Sequence, residues 1–355
     1  MRDDVLAHSS ATRHEKPAWL QERLRWFQSL QFGIILHWAP YSQWDCCESW
    51  PLVPEDTWAR GECKPWVERG KDLERFQRDY WNLPATFNPT RFDPDAWART
   101  FAEAGAKYVC FTTKHHDGFC MWDTQTTDYK ITGPICPFHT HPQADVTKAL
   151  FDACRKQGLA ISAYFSKADW HCPDYWNPEN GPTHRGANTL DDPERWERFV
   201  RYTHEQIREL MTDYGPIAVL WLDAGWVKGK EDIRMAEMVA MARALQPGLI
   251  VANRTVGDEF EDIVTPEREL PEGDLGSPWE ACLPLCPDWK YVSGQTPRSA
   301  EEVVAEIEYA NRNGGNLLLG IAPMPTGELP PTQVDVLREI GRMRARFEAG
   351  APDRN

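Results

Sequence analysis

The run Ile217-Ala218-Val219-Leu220-Trp221-Leu222-Asp223, entered through Gly215-Pro216, is six apolar residues closed by a carboxylate. An unbroken apolar run of this length, rich in branched and aromatic side chains, reads as a strand covered on both faces, the usual state of strands in a parallel sheet. A long amphipathic pattern at 193–214 precedes it and another at 233–245 follows it, so the strand sits inside a strand-helix alternation. The same unit recurs in both directions along the chain. Strands are expected at 32–38, 108–113, 159–166, 249–254 and 316–321. Helices are expected from Asp93-Pro94 to Gly105, and at 145–157, 300–311 and 332–347. Asp followed by Pro is a helix-start signal, and the glycines after the periodic runs mark helix ends.

Six or seven such repeats predict an α/β chain whose sheet closes into a (β/α)8-like TIM barrel. A doubly wound nucleotide-binding sheet would show the same rhythm. However, no Gly-x-Gly-x-x-Gly follows the first strand and no Walker A lysine occurs. The expected organisation is an N-terminal extension over 1–23, one catalytic barrel domain over 24–350 and a tail over 351–355. The proline-rich and charged stretches 52–88 and 258–291 follow strands and are expected to be irregular segments roofing the active-site face.

Composition narrows the function. The 39 basic against 54 acidic residues leave a formal charge of −15, which disfavours nucleic acid and anionic membrane as partners. No apolar run approaches the roughly 18 residues of a membrane span. The start Met1-Arg2-Asp3-Asp4 lacks a secretory apolar segment, so a cytoplasmic protein is expected. On that basis its ten cysteines, among them Cys46, Cys47, Cys110 and Cys154, are expected to be reduced. The 17 tryptophans suit stacking on sugar rings, although a large core uses tryptophan as well.

Polar groups end the expected strands repeatedly: His37, Lys114-His115-His116-Asp117, Tyr164 to Ser166, Asp223 and Arg254. One such residue is ordinarily a satisfied rim group. Repetition at equivalent strand ends is what a barrel active site requires. Asp223 stands out because burying a carboxylate behind that apolar run is costly unless it is paired or used. An ion pair with Arg254 is the structural reading and a nucleophile the functional one. Glu259, Glu261, Glu267 and Glu280 supply candidate second carboxylates in the following segment.

The strings FGIILHW (32–38), FNPTRFDPDAW (87–97), AGAKYVCFTTKHHDGFCMWD (104–123), DYGPIAVLWLD (213–223), TPE (265–267), PWE (278–280) and GGNLLLGIAP (314–323) resemble family 29 glycoside hydrolases, the retaining α-L-fucosidases. The resemblance runs from about residue 24 to 342. It implies an irregular barrel that cleaves terminal α-L-fucosyl residues from oligosaccharides or glycoconjugates by double displacement, without metal or cofactor. By position, Asp223 matches the nucleophile, and His37, His115, His116, Tyr164, Trp221 and Arg254 match groups that grip the sugar. The acid/base matches Glu267, with Glu280 as the alternative. The family's Glu-Trp-Tyr appears as Glu48-Ser49-Trp50, which makes Glu48 and Trp50 expected sugar contacts. Gly320 and Ala322 depart from the family's pattern in the last strand, and the β-sandwich that many members append is not expected.

Two adjacent histidines at one strand end are expected to point apart and to divide their work. Two other functions fit the same fold. A metal-dependent barrel hydrolase would draw on His115, His116, His171 beside Asp169, His139 and His141; a catalytically silent barrel would only bind sugar. The first lacks the His-x-His at the first strand end that such sites use, and the second does not account for the retained carboxylates.

Overall fold

The computed structural model describes residues 16–176, 185–187, 192–254 and 256–350, the last four as helical backbone only. Most of the expected N-terminal extension and all of the tail 351–355 lie outside the described residues. The helix Ala18–Leu30 runs across the expected boundary at 23/24 and buries Leu20, Leu24 and Phe27.

Seven strands form one sheet: β1 Phe32–Leu36, β2 Tyr108–Lys114, β3 Ala160–Ser166, β4 Val219–Asp223, β5 Ile250–Asn253, β6 Trp279–Pro284 and β7 Gly315–Ile321. Their order is β5-β4-β3-β2-β1-β7-β6, and every pairing is parallel. Parallel neighbours need crossovers, supplied here by the helices Pro94–Glu103, Val146–Lys156, Pro193–Asp213, Met235–Leu245 and Ala300–Arg312. Asp93, Asp145 and Asp192 cap three of these, each accepting from a backbone N–H three residues on, and Ser299 with Glu302 forms a capping box on the fifth.

The chain belongs to the expected α/β class as a curled sheet of seven parallel strands. No eighth regular strand occurs among the described residues. Between the two edge strands runs the segment 262–268. The Asp262 N–H donates to Val251 O of β5 at 2.8 Å, and Val264 and Pro266 accept from the Glu280 and Cys282 N–H groups of β6, each at 2.8 Å.

Alternation along the strands separates two cores. One set, including Ile34, Phe111, Ile161, Leu220, Val251 and Leu319, packs outward against Phe101, Leu150, Phe199, Val239 and Val303 of the helices. The residues between them, including Ile35, Cys110, Tyr164, Trp221, Ala252, Cys282 and Leu318, fill the concave side. This period of two puts Trp221 and Asp223 on the concave side together. Gly33 makes room there, since a Cβ at that position would meet the Tyr108 ring at 2.4 Å.

Three expectations are corrected. The stretch 258–291 is not wholly irregular: it contains β6, whose inward residue Glu280 hides the strand from an apolar reading. The stretch 52–88 carries the helices Thr57–Arg60, Lys64–Glu68 and Leu73–Trp81, the last capped by Asp72. Within this roof Cys46 and Cys63 are joined by a disulfide across a Cα separation of 5.6 Å. The expectation that all ten cysteines are reduced is therefore overturned. The eight remaining cysteines are free, and seven of them are buried.

The lysine of the KHHDGF string is structural. Its ammonium is fully buried, 3.1 Å from Asp169 Oδ2 and 2.9 Å from Gln206 Oε1, and lies over the Phe165 ring. Asp169 also accepts from the His171 and Cys172 N–H groups and from the Tyr202 hydroxyl. Removing one member leaves an unpaired buried charge, so Asp169→Ala is expected to lower unfolding free energy by about 3–5 kcal/mol. Urea titration checks this, and a loss below about 1 kcal/mol contradicts the pairing.

Candidate active site

A cavity of about 500 Å³ opens at the carboxyl ends of the strands, where ligands bind in α/β sheets of this kind. Its wall includes His37, Glu48, Trp50, His115, Tyr164, Trp221, Asp223, Arg254 and Glu267, nine of the eleven residues singled out above. The five strands β1 to β5, or the segments that follow them, supply all nine. The fold alone brings them together.

Asp223 ends β4 on the concave side. Its Oδ2 accepts from the Tyr164 hydroxyl at 2.5 Å; its Oδ1 accepts from the Ala224 N–H at 2.7 Å and from Arg254 Nη1 at 3.1 Å. Ala224 has φ +67°, a left-handed conformation unusual for alanine, so the chain turns sharply away directly after the carboxylate. Burial pushes the Asp223 carboxyl up, but the Arg254 guanidinium first, then His116, the Tyr164 hydroxyl and His115, overcome it and hold the group well below the usual carboxylate range. Burial takes His115 well below the ordinary imidazole range and His116 down to about 4. The guanidinium of Arg254, 3.1 Å from Asp223 Oδ1, is the largest source of positive charge beside that carboxylate.

Arg254 binds two carboxylates. Its Nη1 takes Asp223, while its Nη2 takes Glu267 Oε2. Glu267 stands on the segment 262–268 and keeps a third of its side chain accessible; its Oε1 accepts from Trp289 Nε1 at 2.9 Å. Trp289, itself on the wall, has its space from Gly320, where a Cβ would meet the indole at 2.6 Å. The departure from the family's pattern at Gly320 thus has a packing reason.

Glu280 is placed differently. It lies below the cavity within β6, almost fully buried, accepting from the Tyr108 hydroxyl at 2.5 Å and from Trp221 Nε1 at 2.9 Å. Burial, only partly offset by those two donors, raises its carboxyl to about 7. It orients Trp221, whose ring stacks on Tyr164 at a centroid distance of 5.3 Å.

His116 lies behind the wall, its Nε2 3.8 Å from Asp223 Oδ2 and its ring against Trp50, Trp170 and Trp226. The two histidines do not point apart: their ring centroids are 4.2 Å apart. The reason is that β2 ends at Lys114 after a register shift, so His115 and His116 leave the strand's alternation. Each is fixed by a serine at Nδ1, Ser49 at 2.5 Å for His115 and Ser166 at 2.6 Å for His116. Glu48 accepts from the Lys290 N–H at 3.0 Å and from the Cys47 thiol.

The histidines of the metal-hydrolase reading scatter. His139 bonds the Cys136 carbonyl at the surface, His141 stacks on Phe138, and His171 stacks on Tyr129. His115, His116 and Asp223 remain close, with one potential ligand atom each within 4.8 Å of the others. Sequence reasoning missed the wall residues Trp226, Trp289, Arg185 and Lys228. They lie in segments without periodicity, where no local signal marks them.

Residues 5–346 match the family model described as Alpha-L-fucosidase. The human plasma alpha-L-fucosidase is 26% identical over 94% of this chain and 71% of its own length. A Caenorhabditis elegans relative is 26% identical over 89% of this chain, which spans only 64% of that protein. Among solved structures, alpha-L-fucosidase isoenzyme 1 from Paenibacillus thiaminolyticus superposes with a TM-score of 0.73 at 32% identity, covering 93% of this chain and 77% of that one. An alpha-L-fucosidase from Lactobacillus casei, solved with its alpha-L-fucose product, gives 0.71 at 25% identity over 92% and 99% of the two chains. With nearly its whole length matched, the chain belongs to the alpha-L-fucosidase family of glycoside hydrolases.

Proposed function

We propose that this protein is a retaining exo-α-L-fucosidase in which Asp223 is the nucleophile and Glu267 the acid/base. The observation that carries the reading is two carboxylates held on one guanidinium at the wall of an aromatic cavity. Retaining glycosidases place such a pair about 5 Å apart across the scissile bond. An Asp223 oxygen attacks the anomeric carbon as the bond to the leaving oxygen breaks, and Glu267 gives that oxygen its proton. Glu267 then takes a proton from water, whose oxygen displaces Asp223 and restores the original configuration. His37, His115, Tyr164, Trp221, Glu48 and Trp50 line the space for the sugar, and His116 supports from behind. The fucose product held by the Lactobacillus casei relative supports L-fucose as the sugar. The segment 262–268, bonded to both edge strands, supports reading the sheet as an irregular (β/α)8-like barrel within one catalytic domain.

A panel of aryl glycosides tests the activity. Turnover of the α-L-fucoside above related sugars is expected, and inertness across the panel would leave a sugar-binding barrel. The cluster of His115, His116 and Asp223 favours one second reading, a metal-dependent hydrolase. Against it, the Arg254 guanidinium already sits on Asp223, and a divalent cation beside it would be repelled at short range. Activity is therefore expected to survive exhaustive chelation; loss that returns with added metal would reverse the choice.

A further inference from the structure

Trp58, on the short helix Thr57–Arg60, is the most exposed large apolar side chain among the described residues, at 59%. A single exposed tryptophan is ordinary. This one is held in place and joined to the cavity wall. Its Nε1 donates to Asp56 Oδ1 at 2.9 Å, and Asp56, itself buried, accepts from Arg185 through Nε at 2.9 Å and through Nη2. The Arg185 guanidinium lies over the Trp50 ring at 5.1 Å, and the Trp50 and Trp58 centroids are 6.0 Å apart. Trp50 and Arg185 both line the cavity. The indole is therefore the outward end of a continuous contact chain that starts at the sugar-binding wall.

We propose that Trp58 is a stacking platform for a sugar ring on the leaving-group side, so that the preferred substrate is a fucosylated oligosaccharide and not a simple fucoside. The proposal rests on the fucosidase reading above. If the terminal sugar fills the cavity, the ring it is attached to must lie at the mouth, where a flat apolar face is needed. A face already fixed by a hydrogen bond loses little side-chain freedom when a ring settles on it. The charge of Arg185 is matched by Asp56, so recognition here works through ring stacking and not through an anionic group on the substrate. Asp56 and Arg185 are positioning residues for the platform.

The test compares α-L-fucosyl fluoride, which has no leaving-group ring, with whichever of a set of fucosyl oligosaccharides of different linkage the wild type hydrolyses. Trp58→Ala is expected to reduce kcat/KM on the oligosaccharide by roughly three- to tenfold, mainly through KM, and to leave the fluoride unchanged. Trp58→Phe, which restores the ring without the N–H, is expected to recover most of the loss. Equal effects of Trp58→Ala on both substrates, or none on either, overturn the proposal. Wild-type turnover of the fluoride with no hydrolysis of any oligosaccharide overturns the platform while the fucosidase reading stands. Inertness toward the fluoride removes that reading, and the platform with it.

Discussion

Asp223→Ala is expected to lower kcat for an aryl α-L-fucoside by at least about three orders of magnitude, about 4 kcal/mol of transition-state stabilisation. The argument starts from the backbone. β4 places Val219, Trp221 and Asp223 on the concave side, and the Ala224 N–H donates to the carboxylate. Arg254 keeps the carboxyl ionised against the cost of burial. A charge maintained at that cost, on a carboxylate that is almost wholly buried, is available to attack a carbon that becomes positive as the glycosidic bond breaks. Alanine removes the nucleophile and leaves a space of carboxylate size beside Arg254. Azide has the charge to enter it, so partial rescue by added azide is expected, with a fucosyl azide of inverted configuration as product. Near-normal turnover by the variant, or labelling of another residue by a 2-fluoro-fucoside, would contradict the assignment. A merely structural Asp223–Arg254 pair would show itself as lost stability without azide rescue.

Most parts of this site that were legible from the residues alone lie at or near the end of an apolar run, whereas Glu48 and Trp50 were reached only through the family resemblance. His37, Tyr164, Trp221, Asp223 and Arg254 stand at or beside the ends of strands whose burial is written in uninterrupted branched and aromatic residues, and the sheet's parallel register turns those ends into one surface. The same rule hid β6. In Trp279-Glu280-Ala281-Cys282-Leu283-Pro284 the inward position is a glutamate satisfied by Tyr108 and Trp221, two side chains from other strands. Partners distant in sequence leave no local trace. Trp289 and Arg185 were invisible for the same reason, and so was the Cys46–Cys63 disulfide, whose members meet only because the roof folds back on itself. The departure at Gly320 had no explanation in the sequence; the Trp289 ring supplies one.

The choice between two glutamates was the least decidable from sequence, and it yields the other large effect. Glu267→Ala is expected to lower hydrolysis of fucosides with poor leaving groups by about two to four orders of magnitude, the contribution of a positioned acid. Fucosides whose leaving group needs no proton should lose far less in the bond-breaking step. Azide should then accelerate breakdown of the accumulating glycosyl-enzyme, because an anionic nucleophile needs no general base. Glu280→Ala should behave differently. Glu280 lies under the floor with both oxygens committed to Tyr108 and Trp221, so its loss loosens Trp221 and reduces all substrates alike. The proton on Glu267 has its own requirement. Arg254 binds both carboxylates, and an ionised Glu267 on that guanidinium cannot donate. The proposed roles therefore require that sugar entering beside Arg254 loosen the Glu267 contact while Asp223 keeps its own. The released carboxyl, next to an ionised Asp223, then favours its protonated form. On the proposed double displacement, consuming Asp223 in the covalent bond would remove that bias and leave Glu267 as the base of the second step. A leaving-group dependence that appears in Glu280→Ala and not in Glu267→Ala would overturn this division of roles, since it would make the glutamate bonded to Tyr108 and Trp221 the proton donor.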